Sequence, residues 1–240
     1  MSEPLKIQRD GAVTEITLAR PDKANALSAD MAEALLAAIG DATSNATRVL
    51  VLRGEGRNFC GGFDFSDLET STDGDLLHRF VRTEQMLQAL YHAPYATLAL
   101  CQGGAFGAGA DIVAVCDKRI AAPGAKFRMP GLKFGIVLGT RRLAARIGVD
   151  NALGILEQAR MFEADEALRI GFIQRIAPVD AWAAAVAEIA TAQTLDVTAH
   201  ALMKARIQAD TRDEDLAALV RSAAVPSLKD RIKAFRATRD

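Results

Sequence analysis

The sequence predicts an α/β fold in which a short strand–strand–helix unit recurs three or four times before a run of helices. Three observations predict it. Apolar runs of strand length alternate with amphipathic stretches of helical period up to about residue 180. Two glycine-dense turns, at 59–68 and 103–109, follow strand-like runs in separate units. Near residue 180 the composition shifts from Gly/Val-rich to Ala-rich, which divides the chain into a core at 1–180 and a helical region at 181–240.

The elements follow in order. LKIQR (5–9) and VTEITL (13–18) flank Asp10-Gly11, a hairpin signal. Arg20-Pro21 breaks the second strand, and 22–27 reads as a loop. Ser28 caps a helix over 29–39 that Gly40 closes. VLVL (49–52) is a buried strand, followed by a turn-rich loop and FCGGFDFSDL (59–68). The polar residues 69–75 read as a mobile connection, and an amphipathic helix spans 76–91, ending before Pro94. Strands are expected at about 98–102, 118–121 and 172–177, with helices at 141–147, 151–159 and 163–169. Everything after Asp180 is helix-like, interrupted at Pro226.

Composition excludes several classes of partner. Half of the 240 residues are hydrophobic and a quarter charged, enough for a sizeable core. Lys+Arg 29 against Asp+Glu 30 leaves no basic excess for nucleic acid or an anionic membrane. The stretch MSEPLKIQRDG lacks a basic-then-apolar export pattern. Cys60, Cys101 and Cys116 stand in apolar or glycine-rich surroundings without metal spacing, so they read as reduced core residues; Cys60, beside a glycine turn, has the alternative of lining a site. The three histidines form no metal motif, so no metal is expected. Together these features point to a cytoplasmic protein.

The stretch Leu98–Cys116, LALCQGGAFGAGADIVAVC, places Gly103, Gly104, Gly107 and Gly109 between an apolar strand and a helix start. Glycine at this density is kept where another group must approach the main chain closely. A membrane span is excluded by Gln102, Asp111 and the glycines at its centre. A P-loop is excluded because no Gly-Lys-Ser/Thr follows, and the G-x-G-x-x-G spacing is absent too. A glycine turn that serves packing alone is the remaining structural alternative. What lifts the functional reading is the second turn, FCGGF. An enzyme that stabilises a developing oxyanion needs two donors aimed at one oxygen, and rigid backbone N–H groups serve best. One would come from Phe63 or a neighbour, the other from Ala108 or a neighbour, with the positive end of the following helix behind it. Asp111, one turn into that helix, would then face the reacting carbon.

The pieces ITLARPDKANALS (16–28), VLRGEGRNFCGGFDFSDL (51–68), ALCQGGAFGAGADIVAVCDKRIAA (99–122), KFRMPGLKFGI (126–136) and FEADEALRIGFI (162–173) resemble the crotonase (enoyl-CoA hydratase/isomerase) superfamily. The resemblance spans residues 10–180, and the remainder agrees in helical character. It implies a right-handed spiral of ββα units, C-terminal helices that pack at trimer or dimer-of-trimers contacts, and acyl-CoA thioester substrates with no further cofactor. It assigns the oxyanion donors to Phe63 and Ala108, and the substrate or CoA contacts to Lys23, Ala24, Ala26, Gly61, Asp64, Phe65, Gly104, Pro130 and Gly131. Phe235 matches a C-terminal position that touches CoA. For Lys23 a solvated surface role competes with a phosphate contact, and for Asp64 a structural role outweighs a chemical one.

The chain departs from the hydratase pattern at both family glutamates. The first falls at Asp111, one carbon shorter, a retreat of about 1.5 Å. The second falls at Gly131, which carries no proton, and the glycine-rich turn beyond it (135–139) is shorter. An enolate needs only the two N–H donors, whereas hydration ordinarily needs a base for water and an acid for the α-carbon. The expectation is therefore an acyl-CoA enzyme of the hydratase/isomerase type with one acidic residue. Isomerisation, decarboxylation and C–C hydrolysis are alternatives, as is a CoA-binding homologue without catalysis. Tyr95, His78, Asp67 and Arg141 are the candidates for a missing second role. A serine peptidase is disfavoured because no Ser follows a glycine turn with a suitably placed His.

Overall fold

A computed structural model describes residues 3–238. Strands β1 (Leu5–Asp10) and β2 (Val13–Leu18) form the expected hairpin, pairing antiparallel with Ile7 opposite Ile16. Helix α1 (Ala29–Ser44) starts at Ser28, whose side chain accepts from the Met31 N–H at 3.2 Å. It does not stop at Gly40. Met31, Leu35, Ala38, Ile39 and Ala42 keep one buried face across the glycine, and that packing outweighs the roughly 1 kcal/mol that glycine costs inside a helix.

Strand β3 (Val49–Gly54) is followed by the first glycine turn and then helix α2 (Asp73–Tyr91). The polar stretch read as mobile contains the start of this helix. Thr72 and Asp75 form a reciprocal cap that satisfies two otherwise orphaned N–H groups. Strand β4 (Ala96–Cys101) is buried along its whole length. Inside the second glycine turn lies a short strand, β5 (Gly104–Phe106), and then helix α3 (Ala108–Val115), all eight of whose residues are buried.

Next come β6 (Lys118–Ala121), β7 (Lys126–Arg128), α4 (Thr140–Ile147), α5 (Val149–Leu156), β8 (Phe162–Glu163), α6 (Ala164–Arg169) and β9 (Arg175–Ile176). The strand expected at 172–177 shrinks to two residues, because Phe172 and Ile173 turn into the core instead of pairing. The helix expected at 151–159 lies at Val149–Leu156. Four helices end the chain: α7 (Trp182–Ala192), α8 (Val197–Ile207), α9 (Arg212–Ala223) and α10 (Leu228–Ala237).

The strands form a six-stranded sheet in the order β1-β2-β3-β4-β6-β9, parallel apart from the hairpin, and a three-stranded sheet β5-β7-β8. Both faces of the central parallel strands are covered, which is why their sequences are apolar without alternation. Leu50 and Leu52 enter the main core, while Val49 and Val51 face Trp182 and Ala185 of α7. A third cluster joins Leu76 and Phe80 of α2 to Phe134, Leu219 of α9, and Leu228 and Ile232 of α10. The region 181–240 thus shares cores with 1–180. The terminal residues 1–2 and 239–240 of those two segments lie outside the described residues. Among the described residues, no helix is long and apolar enough to cross a membrane.

Candidate active site

The two glycine turns lie side by side. The Phe59 N–H donates to the Gln102 carbonyl (2.8 Å), the Cys60 N–H to Gly104 (3.2 Å), and the Phe106 N–H back to Cys60 (2.9 Å). Gly62, at φ +88°, is where they touch: a Cβ there would overlap the Phe106 carbonyl oxygen and lie 3.5 Å from the Ala108 nitrogen. Leu27 grips the turn on either side of Phe63, its N–H donating to Gly62 (2.7 Å) and its carbonyl accepting from Asp64 (3.0 Å). Among the described residues, neither the Phe63 nor the Ala108 N–H has a backbone acceptor; Ala108 opens α3, where the first N–H groups lack partners within the helix.

Phe63, Ala108 and Asp111 line one cavity of about 130 Å³. Gly61, Phe65, Pro130 and Gly131 line it too, as do Phe80, Met129, Phe134, Ile136 and Phe235. Phenylalanines cluster along its wall: the Phe63 ring stacks on Phe80 at 4.2 Å and lies 4.9 Å from Phe65, and Phe134 lies 5.2 Å from Phe235. Among the described lining residues Asp111 is the one titratable side chain. It is 3 % exposed, and burial raises its carboxyl from the ordinary range to about 8; Arg142 opposes that rise and Glu84 adds to it. A carboxyl in this range holds its proton at neutral pH and can still release it, as a group that carries protons must.

Other residues named from sequence stand apart from the cavity wall. Asp64 is buried against Arg20 at 2.8 Å and accepts from the Ser66 N–H at 2.9 Å; despite burial, these partners hold its carboxyl below the usual range. Gly104 donates its N–H to the Asn58 side chain at 2.9 Å within β5. Lys23 is exposed at the end of a short 3₁₀ turn, Pro21–Lys23. Ala24 adjoins the site through its carbonyl, which accepts from the Gly61 N–H at 2.8 Å, and the Ala26 carbonyl accepts from Arg20 at 2.6 Å. Cys60 is fully buried, its Sγ 3.1 Å from the Asn25 carbonyl, and burial pushes its thiol up to about 12. None of the candidates for a second proton carrier reaches the cavity wall: Tyr95 donates to the Ile39 carbonyl (2.7 Å), Asp67 pairs with Arg79 (2.5 Å), Arg141 pairs with Asp215 (2.8 Å), and His78 lines a different recess. Among the described residues no group of three or more His, Cys, Asp or Glu is placed to hold a metal ion.

Sequence reading missed the surroundings of Asp111. Gly139, at φ +67°, packs directly on the carboxyl, so a Cβ there would overlap its Oδ1. Beyond it, Glu84 and Arg142 form a buried bidentate pair at 2.7 and 2.6 Å. Their separation of 58 positions leaves no local signal. Gly139 did have one, as the last glycine of the shortened turn.

The chain belongs to the enoyl-CoA hydratase/isomerase family: the model of that family matches residues 8–227. Its fold is the crotonase spiral of ββα units expected from the sequence. A crystal structure of a presumed enoyl-CoA hydratase/isomerase from Bordetella parapertussis is 49 % identical, with a TM-score of 0.97 over 98 % of this chain and 99 % of that one. An enoyl-CoA hydratase from Bacillus halodurans is 25 % identical, with a TM-score of 0.85 over 96 % of this chain and 99 % of that one. A probable enoyl-CoA hydratase of Mycobacterium tuberculosis is 35 % identical over 185 residues, 75 % of this chain and 74 % of that protein. The protein is accordingly an enzyme of the enoyl-CoA hydratase/isomerase type.

Proposed function

We propose that this protein converts acyl-CoA thioesters through an enolate, with Asp111 as its single proton carrier. The thioester oxygen accepts hydrogen bonds from the main-chain N–H groups of Phe63 and Ala108, which stabilise the negative charge as it forms. The observation that carries this reading is a cavity bordered by both glycine turns and holding one titratable group. The CoA arm runs past Lys23, Ala24, Ala26 and the turn at 61–65, with Lys23 free to meet a phosphate. The acyl chain lies among the phenylalanines.

Allylic double-bond isomerisation fits a single carboxyl. In its ionised form, the minority at neutral pH and the more basic for its burial, the Asp111 carboxylate takes a proton from the α-carbon of a 3-enoyl thioester, and the electron pair moves into a dienolate. The same carboxyl then returns the proton to the γ-carbon, leaving the 2-enoyl thioester. Hydration is the second reading, favoured by the names that the relatives carry. It needs water activated and a proton delivered to the α-carbon, both by way of Asp111.

Incubation with a panel of 2-enoyl and 3-enoyl thioesters, followed by mass and by conjugated-double-bond absorbance, separates the two. Isomerisation leaves mass unchanged, whereas hydration adds one water. In either case Asp111→Asn is expected to lower turnover by about 100-fold or more while acyl-CoA still binds. An Asn variant that turns over at the original rate would remove Asp111 from the chemistry. Binding without turnover in the unaltered protein would leave a CoA-binding homologue.

We also propose that the protein self-associates, as a trimer or a dimer of trimers. The support is a set of exposed apolar side chains on the outer helices: Val149 and Leu153 of α5, and Leu202, Met203 and Ile207 of α8.

A further inference from the structure

The Asp111 carboxyl and the Arg142 guanidinium are complementary groups that do not pair. Asp111 Oδ1 is buried and accepts no hydrogen bond among the described residues, and Arg142 Nε is buried and donates none. Arg142 is buried in the first turn of α4, the helix whose capping Gly139 packs on the Asp111 carboxyl, and α4 lies against α3. What occupies Arg142 is Glu84 of α2, 1 % exposed, which takes both terminal nitrogens of the guanidinium at 2.7 and 2.6 Å.

We propose that Glu84 is a positioning residue: by holding Arg142 in a bidentate pair it keeps the guanidinium off Asp111, so that the carboxyl faces the cavity unpaired. The proposal rests on Asp111 being the proton carrier. A fork-shaped guanidinium and a buried carboxylate form a strong charge-assisted pair whenever they meet. Such a pair would leave Asp111 ionised, fixed in place and a weak base. Because the two carboxylates compete for one cation, the one that binds it is removed from acid–base work, and the other remains available.

The charged groups around Asp111 are few. Helix α2 contributes Glu84, and α4 contributes Arg142 beside it and Arg146, whose guanidinium is committed to the Ala114 and Cys116 carbonyls at the far end of α3. Helix α9 adds Asp215, 3.7 Å from Arg142 and bonded to Arg141. Arg119 at the start of β6 is likewise taken up by the carbonyls of Cys116 and Phe172. Among these cations Arg142 is the one held by Glu84, with Asp215 at 3.7 Å as its second acidic neighbour.

The test is the pH dependence of turnover, together with a carbon-13 NMR titration of the Asp111 carboxyl, in three variants. Glu84→Gln is expected to shift the Asp111 titration down by about 1–3 pH units and to lower kcat more than it raises KM. Arg142→Gln removes the cation and should shift the titration upward. The double variant, Glu84→Gln with Arg142→Gln, replaces the ion pair by two amides and should return the titration to near its original position. The proposal is overturned if the double variant titrates like Glu84→Gln, or if Arg142→Gln leaves the titration unmoved. Should Glu84→Gln fail to fold, Glu84→Asp, which keeps the charge but shortens its reach to the guanidinium, is read instead: a downward shift supports the proposal and an unmoved titration overturns it. If Asp111→Asn keeps its turnover, the proton-carrier reading fails by itself, and the NMR titration still reports whether Glu84 keeps Arg142 away.

Discussion

At the scale of single residues, the decisive feature is a carboxylic acid held in an apolar wall against its preference for water. The unfolded chain releases the Asp111 proton near the model-peptide value of 3.8, whereas the folded chain keeps it until about 8. Between those values the native state binds the extra proton, so this group's contribution to stability is full at acid pH and is lost as pH rises through about 8. Asp111→Asn carries no such proton. Its melting temperature relative to the unaltered protein is expected to climb between pH 5 and pH 8, at roughly 2–4 °C per kcal/mol, and parallel melting curves would contradict the raised carboxyl. Gly139 is the second residue whose identity the site dictates. Gly139→Ala forces a side chain into a positive-φ position and against the Asp111 carboxyl. Activity should fall by about 100-fold, in line with displacement of a reacting group by roughly 1 Å, measurable as kcat on whichever thioester the panel identifies.

At the scale of elements, α10 is part of the wall. Leu228 and Ile232 are fully buried among Leu76, Phe134 and Leu219, and Asp73 at the start of α2 accepts from the Leu228 and Lys229 N–H groups at 3.1 and 2.9 Å. Ile232→Ala is expected to cost about 2–4 kcal/mol in urea unfolding. A loss below about 1 kcal/mol would mean that α10 only rests on the surface. The elements most visible in the sequence were those whose local signals and burial agreed: the hairpin at 5–18, the fully buried β4, and the Ser28 cap. Strands β5, β7 and β8 were not legible. Each is two or three residues long and exists because neighbouring chain pairs with it: Gly104 with Lys126, and Lys126 with Glu163. The overrun of α1 past Gly40 has the same origin, since packing against the core overrode a local stop.

At the scale of the whole molecule, the outer helices carry exposed apolar side chains. Ile207 is 73 % exposed, and Leu202 and Val149 are each 64 % exposed. If α8 carries the self-association proposed above, replacing Ile207 and Leu202 with Lys lowers the mass seen by sedimentation velocity while leaving the melting transition nearly unchanged, because both side chains are largely exposed on the single chain. An unaltered mass would count against α8 as the proposed contact.

The sequence by itself determined the family, the spiral of units and several residues that border the cavity, Phe63, Ala108 and Asp111 among them. It could do so because glycine turns, caps and buried strands are local devices, each written within a few positions. Only the tertiary structure decided what surrounds the acid. Gly139 against its carboxyl, and Glu84 holding Arg142 beside it, arise from segments brought together by folding. The protonation of Asp111 follows from that enclosure, since a charge depends on all the groups packed around it and not on its neighbours along the chain.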